Sequence, residues 1–497
     1  MAISSRSQVV AVKKETTEGT LEALTAGSEF IKVRAGTELT SENEIVESDE
    51  LVNSIGKSAP IVVGENPSGS IPLYIKHSGV EGQEPEAGIL LESAMGSVTA
   101  NGTEYDTVAA STVSIVKVDS GEGANFVEGQ ALLVKDATNG YSIRNIDSIS
   151  SDDLTLGFDL ASAPAVGINL GKAVQYIPAS SGHPTYSVYR YASETSAGYR
   201  DAMAGCRSTS LTFDLNAREL ASLSAEFEGI SYYWNQIVID ATNDDFSVTD
   251  DGGAFTGSVE QKAYKTPIEF ADELETKLNA AGDDVFTVTY SNTTGKFTVA
   301  SDGAVLQLTC SAANSVFAEI GFGAIDLTGA TTYTAATALS FDAPYTPAYD
   351  DIDPIVVVDS ELLIGDSDDY ICRKASAASF AIGTPKTQVL SVCAENGVVE
   401  TIINERSVTL SATILLSAYE AELFDRSFNN TTSKIAFSTG PKDNAGNYIA
   451  GKCFNIFMQS AKIDGITTAD QDGYRVINLT ATGFVGGSTQ DVFLNYV

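Results

Sequence analysis

A period-two alternation of apolar and polar residues is what most restricts this chain, because successive side chains of a strand point to opposite faces of a sheet. In SIPLYIKH, Ile71, Leu73 and Ile75 share one face while Ser70, Pro72, Tyr74 and Lys76 share the other. Pro72, which lacks an amide hydrogen, marks an edge or a strand start. Val, Ile, Thr, Tyr and Phe keep up this alternation along most of the chain, between clusters of Gly, Asn, Asp and Ser. The fold class expected is therefore mainly β, with few helices. One short apolar helix is predicted in GILLESAMG, ended by Gly96.

The same arrangement recurs near the C-terminus. SVTLSATILLSAYEAELFDRSFNN alternates Val408, Leu410, Ala412 and Ile414 on one face, and then Ser417-Ala418-Tyr419-Glu420 fits a capping box that would open a helix striped by Tyr419, Leu423 and Phe424. Downstream of the first helix, Leu211, Phe213 and Leu215, then Ala221, Leu223, Ala225 and Phe227, fall on a core side. Thr212, Asp214, Asn216, Ser222, Ser224, Glu226 and Glu228 face outward. FNIFMQSAKIDG and YRVINLTATGF close the second copy, with Ile477, Leu479 and Ala481 set against Asn478, Thr480 and Thr482. Strand, helix, spacer and two closing strands thus occur twice, as in an internal duplication.

Two stretches interrupt the halves. STVSIVKV, QALLVK, YSIRNIDSI, LTLGFDL and AVQYIP, with a turn at Thr138-Asn139-Gly140, suggest a small β-barrel or sandwich. The second insert is α+β. There Thr266-Pro267-Ile268-Glu269 caps a helix with Leu274 and Leu278 one turn apart, and a hairpin follows with Phe286, Val288 and Tyr290 on one strand and Phe297 and Val299 on the other. The expected organisation is residues 1–98 plus 183–230 as a first half, 99–182 and 231–343 as inserted domains, and 344–497 as a second half. At 497 residues the chain exceeds what one ordinary core supports, which is about 250–300 residues.

Composition removes most chemistry. With only His77 and His183, most histidine-dependent catalysis and metal binding lacks its raw material. Cys206, Cys310, Cys372, Cys393 and Cys453 are odd in number and scattered, with no C-x-x-C pair, so five buried free thiols are expected rather than disulfides or zinc. Asp250-Asp251, Asp350-Asp351-Asp353 and Asp366-Asp368-Asp369 lack the spacing of a calcium loop and read as solvated turns. No phosphate loop, G-x-S-x-G or H-E-x-x-H occurs. No enzyme activity and no cofactor are expected. Trp234 beside Tyr232 and Tyr233 is the one candidate sugar platform, and packing between domains is the plainer use of it. The net charge of −37 repels phosphate, which argues against direct nucleic-acid recognition. No run is apolar enough for a membrane helix, and the opening MAISSRSQVVAVKKETTEGT lacks a signal-peptide core, so a protein made and kept in a cytoplasm is expected.

QVVAVKKETTEGT, GENPSGSIPLYIKHSG with the helix in EAGILLESAMG, and ERSVTLSATILLSAYEAELFDRSFNN with GYRVINLTATGF together resemble siphophage major tail tube proteins. The insert FADELETKLNAAGDDVFTVTYSNTTGKFTVASDG is similar to a small module of phage tail proteins. The resemblance covers about two-thirds of the chain by order and spacing rather than by one diagnostic motif. It implies a β-sandwich flanked by a helix, whose sheets join around a ring into a barrel, with rings stacked into a tube that conducts genome DNA. It implies hexameric rings for a single tube fold and trimeric pseudo-sixfold rings for a duplicated one, with a tape measure protein and a tail terminator as partners. It places the protein in the virion tail, assembled in the host bacterial cytoplasm, with no membrane partner.

Asp214, Glu219, Glu226 and Glu228 are the candidates for an acidic lumen wall. In this family long N-terminal arms and loops reach the neighbouring ring. Ser4 to Thr20 and Val46 to Val63 are the corresponding stretches here, with Lys13, Glu15, Glu47, Asp49 and Asn53 as candidate inter-ring contacts. The rival expectation is a receptor-binding or adhesive β-protein of a tail fibre or surface layer.

Overall fold

Alternating strands that bury one face need a second layer to bury it against, and the chain supplies both layers. A computed structural model describes residues 7–48, 50, 59–136, 140–192, 198–394, 397–417, 420–486 and 489–497. Strand accounts for 48% of the chain and helix for 9%, so sheet edges rather than helix faces decide how the molecule is built.

One layer is a continuous antiparallel sheet made of β1 (Glu38–Val46), β2 (Ile61–Tyr74), β3 (Tyr199–Asn216), β4 (Ser222–Glu228), β5 (Ala375–Gly383), β6 (Ser407–Leu415), β7 (Phe454–Gln471) and β8 (Tyr474–Gly483). Its strands lie in the order β1-β2-β4-β3-β5-β6-β8-β7. The second four repeat the pattern of the first four. Even the irregularities repeat: β3 shifts register between Ser208 and Ser210 against β4, and β7 shifts between Ile463 and Gly465 against β8.

The seam between the halves is β3 against β5, with Leu211 opposite Ile382, Phe213 opposite Phe380 and Asp214 opposite Ser379. The expected core face is the core: Ile71, Leu211, Phe213, Ala225, Phe380, Ile382 and Ile477 have no exposed surface. Each 18-residue strand spans both layers. The first part of β3 pairs with Tyr186–Ala192, and the first part of β7 with Ser433–Thr439 and Phe493–Tyr496. Phe213 stacks on Phe454 with ring centroids 5.5 Å apart, closing the sandwich across the seam.

Helix α1 (Gly88–Met95) ends at Gly96 with φ +96°, the left-handed conformation that glycine adopts without a Cβ clash. Helix α2 (Pro267–Ala281) has Thr266 as its N-cap, the hydroxyl accepting from the Glu269 amide at 3.1 Å. Helix α3 (Ala421–Phe428) starts later than the capping box predicts, with Glu420 rather than Ser417 preceding it. Ser417 still meets Glu420: its carbonyl accepts from the Glu420 amide at 3.2 Å and its hydroxyl donates to the Glu420 carboxylate at 3.2 Å, which also accepts from buried Arg373 at 2.8 Å. Tyr419 lies outside the described residues.

The segment 231–343 has its own core of Phe246, Phe270, Leu274, Phe286, Phe297 and neighbours. A four-stranded sheet within 115–156 has another, around Val116, Leu132, Ile146 and Leu154. AVQYIP departs from expectation. Ala173–Pro178 leaves the small sheet and pairs with Gly96–Asn101 and Phe493–Tyr496, because Val174 and Tyr176 fill the sandwich core. Two of the five cysteines also differ from the expectation of buried thiols, since Cys372 and Cys393 are exposed. Asp250 is not a solvated turn residue either: it is buried and accepts from the amides of Gly252, Asp283 and Asp284.

Candidate functional site

Three features of the large sheet face outward: its polar face, its two ends and a pair of hairpin arms. On the polar face of the first half, Asp214, Glu226 and Glu228 are exposed, as their alternation with Phe213, Ala225 and Phe227 requires. Asp214 accepts from Ser379 at 2.9 Å across the seam, and Glu228 pairs with Lys386 at 3.6 Å. Glu219 is elsewhere, in the turn joining β3 to β4, where it accepts from Asn216 at 3.0 Å.

Register brings further acids to the same face. Glu38 lies opposite Ser70, which lies opposite Glu226, and Glu42 and Glu44 follow Glu38 along β1. Sequence reasoning missed these because ELTSENEIV has a single buried apolar residue, Leu39, and hydrophobic alternation is silent there. The every-other spacing of Glu38, Thr40, Glu42 and Glu44 was the available signal. Gly69 lets β2 pass beneath Phe227, for an added Cβ would sit 2.5 Å from the ring.

The ends of the sheet are β1 and the C-terminal part of β7. Among the described residues, β1 pairs only with β2, and Lys462 to Gln471 of β7 pair only with β8. Each leaves a row of backbone donors and acceptors on its outer side.

Both hairpins that begin the halves run on past the sheet at the same end. The β1–β2 arm exposes Ile45, Val46, Ile61, Val62 and Val63. The second arm, Lys386–Leu390 paired with Val398–Ile403, continues β5 and β6 and exposes Leu390, Val392, Val399 and Ile402. The sequence reading named the first arm and missed the second, whose apolar residues break the period-two rule. The second arm is held by Glu18, whose carboxylate accepts from the Thr401 amide at 2.7 Å and from Arg207 at 2.7 Å.

The N-terminal candidates sit differently. Lys13 is engaged by Ala23, Thr25 and Glu29 within 3.0 Å. Glu15 accepts from Gly205 at 2.7 Å, Ser187 at 2.9 Å and Gly19 at 3.0 Å, and burial pushes its carboxyl above the usual range. Both side chains are bonded within the chain. Glu47 is exposed just beyond β1, and Asp49 and Asn53 lie outside the described residues. Trp234 is half-exposed and stacks on Tyr199 at 5.1 Å.

The large sheet thus repeats one four-strand unit and is open at both ends among the described residues. The phage tail tube protein family matches residues 5–275, more than half of the chain. The chain belongs to that family. A comparison with curated proteins finds no match. As a phage tail tube protein it is a structural component of the virion tail, from a family of structural rather than catalytic proteins. Self-assembly into a tail tube goes with membership of the family. No helix among the described residues is long and apolar enough to cross a membrane.

Proposed function

We propose that three copies of this chain close a ring by joining sheet ends, and that rings stack into a tube around DNA. The observation that carries this is the β1-β2-β4-β3-β5-β6-β8-β7 sheet, two equivalent four-strand units in one chain with both ends open. Open edges of like subunits are satisfied by closed cyclic pairing, and two units per chain make a threefold ring pseudo-sixfold. The polar face is then the lumen wall, with Asp214, Glu226 and Glu228 joined by Glu38 and Glu42. Carboxylates there deny phosphate the cationic contacts that would hold sliding DNA. The apolar arms reach the adjacent ring, six per ring, which gives each exposed Val, Ile and Leu a place to be buried. A tape measure protein inside and a terminator at the end are the partners that such a tube implies.

Negative-stain micrographs of the purified protein are expected to contain hollow rings or tubes of uniform bore, and symmetry averaging three chains per ring. Solid fibres, or six chains per ring, would overturn the proposal. The double reversal Asp214→Lys with Glu226→Lys is expected to leave assembly intact and slow DNA ejection several-fold, about what added phosphate contacts produce. Unchanged ejection kinetics would remove these two residues from the lumen.

A further inference from the structure

The seam inside the chain is a template for the seam between chains. Resting on the ring reading above, we infer that β7 of one copy pairs antiparallel with β1 of the next in the register that β3 and β5 already use. The equivalences follow from the pairings on either side. Counting outward from the matching bulges, Ser208 of β3 corresponds to Ile463 of β7, Leu211 to Ile466, Thr212 to Thr467 and Asp214 to Ala469. Counting along the hairpins, Phe380 of β5 corresponds to Leu39 of β1, Ala381 to Thr40 and Ser379 to Glu38. Transferring the β3–β5 register sets Ile466 opposite Ser41, Thr467 opposite Thr40, Thr468 opposite Leu39 and Ala469 opposite Glu38 of the next copy.

Three observations favour this occupant and this register. Both surfaces are strand edges of matching length and opposite direction, and each half's other edge is already paired with its counterpart inside the chain. The register keeps Leu39 and Ile466 on the core face and Thr40 and Thr467 on the polar face, whereas a slip by one residue would invert one strand. The helix behind each seam strand differs in the same sense. α1 contacts β3 at Ser208, whose hydroxyl donates to Leu90 O at 2.9 Å, and its last residue Met95 is fully buried. α3 contacts β7 at the equivalent Ile463, whose carbonyl accepts from Ser427 at 3.3 Å, yet its last residue Phe428 is 83% exposed beside the open edge.

The two seams also divide one charge between them. Inside the chain Asp214 faces the small neutral Ser379; between chains Glu38 faces the small neutral Ala469. At each of the six seams one carboxylate sits at the same height, from alternating strands, and no two acids oppose each other.

The test uses full-length protein with Cys372→Ser and Cys393→Ser to remove the exposed thiols. Thr40→Cys with Thr467→Cys, both exposed positions, is oxidised after assembly and run on a non-reducing gel. The expected result is a ladder that ends at a closed trimer, and mixed single variants should give dimers only. Glu42→Cys with Thr467→Cys, displaced by two residues, is expected to cross-link at least about tenfold more slowly, since a diagonal pair is about 7–8 Å apart and beyond easy disulfide reach. Tubes in micrographs without Thr40–Thr467 cross-links, or with faster cross-linking of the displaced pair, would overturn this register and leave the ring reading standing. Absence of rings or tubes from the parent protein would overturn both.

Discussion

The two halves of the large sheet share a backbone plan and differ in what they show to the outside. At the paired positions of the first half the polar face carries Glu38, Glu42, Asp214, Glu226 and Glu228; the equivalent places in the second are Ser379, Gly383, Ala469, Thr480 and Thr482. The core face diverges less: Leu223, Ala225 and Phe227 match Ile477, Leu479 and Ala481, all buried. Packing against the second layer constrains one face through volume and hydrophobicity, while the other answers only to solvent and whatever passes it. The acidity of the sheet is thus a property of one half, and a closed ring would alternate acidic and neutral sectors.

The largest way to break the likeness is at the seam. Phe380→Ala opens a cavity against Phe213 and is expected to lower unfolding free energy by about 3–5 kcal/mol in urea titrations. A loss under about 1 kcal/mol would mean the halves do not depend on their shared core.

The helices sharpen the comparison. Arg373, whose side chain is buried, holds α3 through Glu420 and Glu422 at 2.8 Å each, whereas the ion pair of α1, Lys14 with Glu92 at 2.8 Å, has an exposed lysine, and the buried contact of that helix is neutral, the Ser208 amide donating to the Ser93 hydroxyl at 3.2 Å. Arg373→Ala strands the Glu420 carboxylate and is expected to cost about 3 kcal/mol; Ser93→Ala, removing a neutral partner, about 1 kcal/mol. Equal losses in thermal melts would count against a buried ionic anchor as what distinguishes α3 from α1.

The 231–343 segment offers the smallest effect and a third term. Burial opposes the charge of Asp250, but the amides of Asp283, Asp284, Gly252 and Gly253 outweigh it and hold the carboxyl below its ordinary value of 3.8. Its stabilisation is therefore complete above that value and is lost as pH falls through the lower folded one. Amide exchange at Asp283 and Asp284 is expected to lose protection in acid before the strands of the large sheet do.

Most of the repeat was legible because a buried face writes itself into sequence with a period of two. Ile71 and Leu73, Leu211 to Leu215 and Ile477 to Ala481 stand where alternation put them. β1 was illegible, since Leu39 alone marks its core side, and so was the second arm, whose Val398 and Val399 break the rhythm. The seam of β3 with β5 joins segments far apart in the chain, and the matching bulges are register shifts inside hairpins, and periodicity encodes neither. The bonds that Glu15 makes to Gly205 and Lys13 to Glu29 were also illegible, since a polar stretch gives no signal of what folds against it.

The 18-residue strands β3 and β7 have a mechanical meaning. Each runs from one layer of the sandwich into the other, so the two layers share covalent beams and cannot shear past each other without stretching backbone. In the proposed tube every ring is consequently stiff, and flexure of the whole tail falls to the apolar arms between rings, where sliding contacts rather than paired strands meet.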